Sequence, residues 1–538
     1  MNNVDIVLKS RAIFTGNEEQ PFAGGVAISG NKIVAVLKDE TIQSYITGET
    51  TVYEYGDQLI MPGFHDFHVH LFAGSLAEQS VLLHAAKSEE EAAQMVKAFA
   101  DEHPEDEWIF GFRWYHIYWD RHELPTKATL DRLISDRPVF LFNDECHGAW
   151  LNSKALDILG ITKESENPPF GEIVKDEYGE PTGFLYETAM GFAQQAFDSL
   201  SENKRRHLLQ TFLEKAASYG VTSVSDMLPL PGLTLGDLEM YRTFEEEGTL
   251  TTRIHFMSAL DGDLNQPKHL RDTYKTDKLK FNGLKQFLDG VPIAYTALLV
   301  EPYSDKQETI GDTLIPSDVV RDWVVEADKE GFRVRLHACG DGAVRLGLDC
   351  YEAAQVKNGT RDSRHTIEHI EVIHETDLSR VAKLGVVASM QPEHLAAAEH
   401  FQDNVYVDRL GKEREPLTWP IRSLQDRGTA IAFGTDFPVV GLDPWLEIYR
   451  AVTRKHDDNL PEDGWNAKEK ISLRDALQHY TKGSAHASFT EDRLGTLEAG
   501  KLADVIVLQQ NPFTSSESEL KEIRTALTIM DGQVIYEA

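Results

Sequence analysis

Residues 63–70, GFHDFHVH, place three histidines and an aspartate within eight positions. In an extended strand side chains alternate faces, so Asp66, His68 and His70 would project to one side. Two imidazoles two residues apart on one face can grip a single metal ion. The bland alternative is a polar strand end with solvated histidines, so the pair needs partners elsewhere. His337 in RVRLHACG, His369 in TIEHIEV and Asp436 in AIAFGTDF each close an apolar, β-rich run, and Lys285 lies in another, GLKQFLDG. Imidazole and carboxylate suit zinc and first-row neighbours such as manganese, iron, cobalt or nickel, and catalytic sites keep a position open for water. Six candidate ligands (His68, His70, Lys285, His337, His369 and Asp436) are more than one tetrahedral ion can use, which points to two divalent ions. An ammonium cannot bind a cation, but a lysine buried beside metal ions loses its proton readily. The neutral amine of Lys285 could then add carbon dioxide and bridge two ions as a carbamate. The alternative is a lysine paired with Asp289 or a backbone carbonyl.

The elements that must hold these residues alternate. Candidate strands span 64–72, 220–227, 252–260, 283–290, 332–340, 364–372, 386–394 and 429–437. Helical patterns such as VVRDWVVEADKEG and TDLSRVAKLG intervene, and each ends on a glycine, as helix C-termini commonly do. Eight strands alternating with helices is the order of a (β/α)8 TIM barrel, whose chemistry sits at the carboxyl ends of the strands. A mixed open sheet is the alternative. Both chain ends read as short strands broken by turns, which predicts one composite β-sandwich assembled from residues 1–60 and 491–538 around a catalytic barrel at 61–490. Two separate hairpins would read the same way. Between strands one and two lie about 145 residues, too many for a loop, so an insertion at about 85–205 carries its own structure. There Trp108, Phe110, Phe112 and Trp114 alternate, which predicts an aromatic strand face, either packed core or an apolar pocket wall.

The 538 residues are 41% hydrophobic and 9% aromatic, the proportions of a well-cored protein. A net charge of −35, from 88 acidic and 53 basic residues, argues against nucleic acid or an anionic membrane as partners. No basic segment leads into an apolar run at the N-terminus, and no stretch approaches the ~18–20 apolar residues of a spanning helix. Cys146, Cys339 and Cys350 form no CxxC. A cytoplasmic protein is expected, with a homodimer compatible with the sequence.

MPGFHDFHVH, LKQFLDG, LHACGDGAV, TIEHIEV, IAFGTDFPV and LGTLEAGKLADVIVL, with RPVFLFNDECHGAWLNSKAL in the insertion, together resemble the amidohydrolase superfamily. Within it the chain is similar to the amidohydrolase family 3 (YtcJ-like) branch, which includes N-substituted formamide deformylases. The resemblance covers nearly the whole chain. It implies a metal-bearing barrel, a β-sandwich from both termini and hydrolysis of a non-peptide C–N bond in a small-molecule amide. It also implies roles: His68 and His70 on a buried ion, His337 and His369 on an exposed one, Lys285 bridging as the carbamate, and Asp436 as ligand and general base. Two departures stand out. Val291-Pro292 follows Asp289-Gly290 where many relatives have serine after the glycine, and GFRWYHIYW replaces a Gly-Trp-Asp pattern.

His147 and Glu187 in the insertion and His394 after strand seven are candidate substrate contacts. His65 points opposite His68, and His365 lies deeper than His369, so both read as structural. A mononuclear aminohydrolase is the rival enzyme reading, disfavoured because Cys339-Gly340-Asp341, not a glutamate, follows His337. A metal-free binding protein of hydrolase descent would have lost ligands, and none is missing.

Overall fold

Eight runs rich in β-branched and aromatic residues become parallel strands buried on both faces. They are Phe64–Val69, Val221–Asp226, Arg253–Ala259, Leu279–Phe287, Val334–Ala338, Thr366–His369, Val387–Met390 and Ala430–Phe433, hydrogen-bonded in that order. The computed structural model describes residues 4–538 apart from 117–118, 122, 144–147, 169–170, 231–232 and 397. The chain divides into two units, Met1–Val69 with Leu213–Met227 and Arg242–Ala538, and His70–Phe212 with Leu228–Tyr241. The eight strands belong to the first.

Helices Ser317–Lys329, Asp341–Asn358, Leu378–Lys383 and Ile421–Gln425 connect strands four through eight in turn. The barrel comes close to sealing where strand eight returns to strand one. There Asp436 N–H donates to His68 C=O at 2.7 Å, and Val69 pairs in parallel with Phe437. Gly434 permits this approach, since a Cβ there would stand 2.3 Å from His68 N. This is a (β/α)8 barrel with an added β domain, not the open sheet. Strand four begins at Leu279, ahead of the expected 283, because it runs through a register slip at Gly283 (φ 139).

Five N-terminal strands, Ile6–Ile13, Phe22–Ser29, Lys32–Lys38, Thr51–Glu54 and Leu59–Pro62, share one eight-stranded sheet with Val505–Leu508, Thr525–Met530 and Gln533–Glu537. Antiparallel pairing of Leu59–Pro62 with Val505–Leu508 joins the two chain ends. Leu8, Ile28, Ile60, Val505 and Leu527 share one apolar cluster on this sheet. The ends are therefore not separate hairpins.

The second unit carries a six-stranded sheet in the order Gly171–Lys175, Pro181–Glu187, Gly148–Leu151, Val139–Asn143, Ile109–Trp114 and Val81–Leu82. The expected aromatic alternation breaks before Trp114. Arg113 adopts φ 69, and the register with Val139–Asn143 slips between Gly111 and Trp114. Trp114 therefore joins Ile109, Leu141 and Trp150 in the unit's core, while Phe112 stacks on Phe142 and Phe110 lies tilted against Phe140. Among the described residues no helix is long and apolar enough to cross a membrane.

One buried ion pair ties the barrel to the terminal sheet. Arg253 of strand three, fully buried, donates from Nε and Nη2 to Asp504 at 2.8 Å each, and from Nη2 to Asp531 at 3.1 Å. Removing one partner of such a pair strands a charge without solvent. Asp504→Ala should lower unfolding stability by about 3–5 kcal/mol in a urea titration. A loss under about 1 kcal/mol would mean that solvent or Asp531 already carries the guanidinium.

Candidate metal centre

Strand one delivers His68 to the carboxyl end of the barrel interior, and a neighbouring carboxylate orients its ring. His68 Nδ1 lies 2.7 Å from Glu368 Oε2, both groups being fully buried. Glu368 also accepts from Arg335 Nη2 at 2.9 Å, and this guanidinium, with His68, holds its carboxyl well below the usual range despite burial. Burial lowers His68 to about 4, against the pull of Asp436 and Glu368, so the ring is neutral near pH 7. Its single proton belongs on Nδ1, facing the ionised Glu368. The Nε2 lone pair then faces Asp436 Oδ1 at 3.2 Å, an acceptor opposite an acceptor. Two ligands about 2.0–2.1 Å from a tetrahedral ion stand roughly 3.3 Å apart, so a cation between them resolves this arrangement.

Other donors converge on the same end. His68, His70 and Asp436 offer donor atoms within 4.8 Å of one another, as do His369, His394 and Asp436, and His337, Cys339 and His369. Burial, followed by Lys285, brings His337 to about 3, and burial with His337 and His68 keeps His369 neutral as well. Neutral imidazole is the form that binds metal. His369 Nδ1, His394 Nε2 and Lys285 Nζ are buried without a hydrogen-bond partner. Lys285 is brought down to about 8, chiefly by burial. Its expected alternative partner, Asp289, instead accepts from the backbone N–H groups of Leu298, Cys339 and Gly340 at 2.9, 3.1 and 2.9 Å. The set of neutral imidazoles and carboxylate fits a first-row divalent ion.

His369 and Asp436 both sit in left-handed backbone, at φ 76 and 59. Non-glycine residues held there cost of order 1–3 kcal/mol and cluster at functional sites. Asp436 is turned by Asp66, which accepts from Thr435 N at 3.0 Å, Thr435 Oγ1 at 2.7 Å and His68 N at 3.1 Å. Asp66 is thus a brace, although strand alternation placed it on the same side as His68.

His70 is buried where strand one passes into the helix Leu71–Glu78. His394 stands 4.0 Å from Asp436 and 3.7 Å from Glu371, which in turn accepts from Tyr406 Oη at 3.0 Å. Burial opposes its charge, but Glu371 and Asp436 outweigh that and raise the ring above its ordinary value. Glu187 ends the strand Pro181–Glu187 of the second unit, half-buried at φ 49. His147 lies outside the described residues. His65 faces Ser225 and Ser488 at 3.4 and 3.3 Å, and His365 bonds Asp328 at 3.1 Å, as structural histidines do.

Glu368, Arg335 and Glu371 were not anticipated. Their signal was present: charged residues within or just after the apolar runs that carry His337 and His369. Glu368→Gln should leave the His68 ring unoriented and weaken metal retention by about 10–100-fold, the usual cost of losing such a partner. Metal analysis after dialysis against a graded chelator, with a melting curve to verify folding, checks this. Unchanged retention in a folded variant would remove Glu368 from the centre.

The Amidohydrolase family profile matches residues 56–536. The YtcJ protein of Bacillus subtilis (strain 168) is 30% identical over 92% of this chain and 92% of its own length. The N-substituted formamide deformylase of Arthrobacter pascens is 26% identical over 99% of this chain and 98% of its own. Among solved structures, an uncharacterized metal-dependent hydrolase from Pyrococcus horikoshii OT3 superposes with a TM-score of 0.78 at 27% identity, covering 95% of this chain and 99% of that one. The chain belongs to the amidohydrolase family and is a hydrolase of the metal-dependent kind found there.

Proposed function

We propose that this protein hydrolyses a non-peptide C–N bond in a small-molecule amide, releasing an acid and a free amine. The observation that carries the reading is the His68–Asp436 pair, two buried acceptors facing each other at the separation of two ligands on one ion. His68, His70 and Asp436 would hold one divalent ion and His337 and His369 a second, with zinc the first choice for this donor set. Full-length similarity to the N-substituted formamide deformylase supports the choice of an amide.

Bound there, divalent ions supply Lewis acidity toward a carbonyl oxygen and lower the pKa of water. The side chains supply the rest. Asp436 faces His68, His369 and His394 and is the group placed to accept a proton from the attacking water. The same carboxyl then protonates the departing nitrogen, which cannot leave as an anion. Water and amide are consumed, acid and amine appear, and Asp436 ends as it began. His394, fixed beside Asp436 by Glu371, faces the same space and is proposed to contact substrate. Glu187 and His147 are proposed as contacts from the insertion.

Lys285 is proposed to react with carbon dioxide: the amine nitrogen bonds the carbon, one proton leaves, and the carbamate would offer carboxylate-like oxygens to the divalent ions. Only the neutral amine reacts. With a pKa of about 8 the neutral share grows as pH rises through that value, so carboxylation and bicarbonate-dependent zinc uptake should increase between pH 7 and 9. The sign follows from burial, which disfavours the charged form. Zinc uptake that falls over this range, or density showing a bare amine turned away from the ligands, would remove the carbamate.

Asp436→Asn should lose more than the ~10²–10⁴-fold of a general acid–base group alone, because the same residue is a proposed ligand. Turnover of N-formyl, N-acetyl and N-carbamoyl amines, with both products quantified, tests the function. Near-normal turnover by the variant, or ring deamination in place of acid and amine, would overturn it.

A further inference from the structure

Two residues beyond His337 the chain carries Cys339, 1% exposed, at the open end of strand five. Its Sγ lies 3.3 Å from His337 Nε2. His337, Cys339 and His369 offer three donor atoms within 4.8 Å of one another. A second observation concerns the same imidazole: His369 Nδ1 is buried without a hydrogen-bond partner, 4.0 Å from Asp436 Oδ2, and the His337 and His369 rings are 4.3 Å apart between centroids. The thiol is held there by its backbone. Cys339 N–H and Gly340 N–H both donate to the fully buried Asp289 carboxyl at 3.1 and 2.9 Å, and a Cβ on Gly340 would stand 2.0 Å from Leu298 O. The turn that presents Cys339 is therefore tightly located.

We propose that Cys339 is a thiolate ligand, completing with His337 and His369 the donor set of the second ion position. This rests on the metal-centre reading above and extends its chemistry. A sulfur at about 2.3 Å and an imidazole nitrogen at about 2.0 Å from a tetrahedral ion stand roughly 3.5 Å apart, close to the Sγ–Nε2 separation found. His337 Nε2 also lies 3.2 Å from Gly290 O. With the ring proton on Nδ1 instead, the Nε2 lone pair is free to share an ion with the sulfur. When the Sγ–metal bond forms, the S–H bond breaks and its proton passes to solvent, so loading this protein releases about one proton more than loading a Cys339→Ser variant. A soft ligand at one position and only nitrogen and oxygen at the other makes the two unequal. The sulfur-bearing position favours zinc or cobalt over manganese or magnesium.

The test uses the full chain, stripped of metal and reloaded with cobalt(II) alone. Wild type should show the visible bands of cobalt in a protein site together with a near-ultraviolet sulfur-to-cobalt charge-transfer band. Cys339→Ser should keep the visible bands and lose the charge-transfer band, while Cys146→Ser and Cys350→Ser keep both. Visible bands in wild type without the charge-transfer band, or a band that survives in Cys339→Ser, overturn the ligand. Failure of wild type to take up cobalt at all overturns the metal centre itself, and the ligand with it. Should Cys339→Ser fold poorly, the cadmium-113 resonance of wild type decides without a variant. A strong downfield shift marks a sulfur ligand, and its absence at full loading overturns the proposal.

Discussion

The seam between strands one and eight governs the site. Asp66 accepts three hydrogen bonds there, two from Thr435 and one from the backbone of His68. The Asp436 N–H donates to the His68 carbonyl in the same few ångströms. Burial, the largest cause, brings the Asp66 carboxyl up to about 7 even though the same hydrogen bonds pull it down. This contact seals the sheet and also sets the separation of His68 and Asp436. The barrel nears closure through two of its candidate ligands. Stability and the geometry of the centre are therefore coupled at one point, with Gly434 supplying the room.

Around the seam, the barrel interior is unusually charged. Arg335 and Glu368 are fully buried on adjacent strands, and Arg335 Nη2 also donates to Phe67 C=O at 2.7 Å. A buried pair of this kind contributes little net stability over apolar packing. Its effect is positional: an ionised Glu368 fixes the tautomer of His68 and so decides which nitrogen faces the centre. Asp289 does comparable work at the other side, collecting three backbone donors and so shaping the turn after His337. Behind the candidate ligands, then, stand further buried carboxyls. Each is committed to a backbone group or a guanidinium and is not available to bind an ion itself.

His394 and Cys339 mark where this chain adds to the plain ligand set. One carries a raised pKa through Glu371 and Asp436, and the other brings sulfur to a site otherwise made of nitrogen and oxygen. Both sit on segments that leave the carboxyl ends of strands, where side chains can vary without disturbing the barrel.

Much of the barrel was legible because a strand buried on both faces is mostly apolar, and eight such runs separated by helical patterns leave few topologies. The ligand candidates were legible because imidazole and carboxylate at the ends of apolar runs are costly to bury unless they are paired or hold an ion. Register was not. Alternation along 108–114 predicted one aromatic face, but a left-handed Arg113 turned Trp114 into the opposite core. Asp66 shared the parity of His68 and His70 yet serves Thr435, because its partner comes from a segment 369 residues away. Residue types and period are local properties, so the sequence by itself determined which elements form and which side chains are chemically able. Which acceptor faces which, and whether a buried lysine finds a partner, depend on contacts between distant strands. Only the folded barrel decided those.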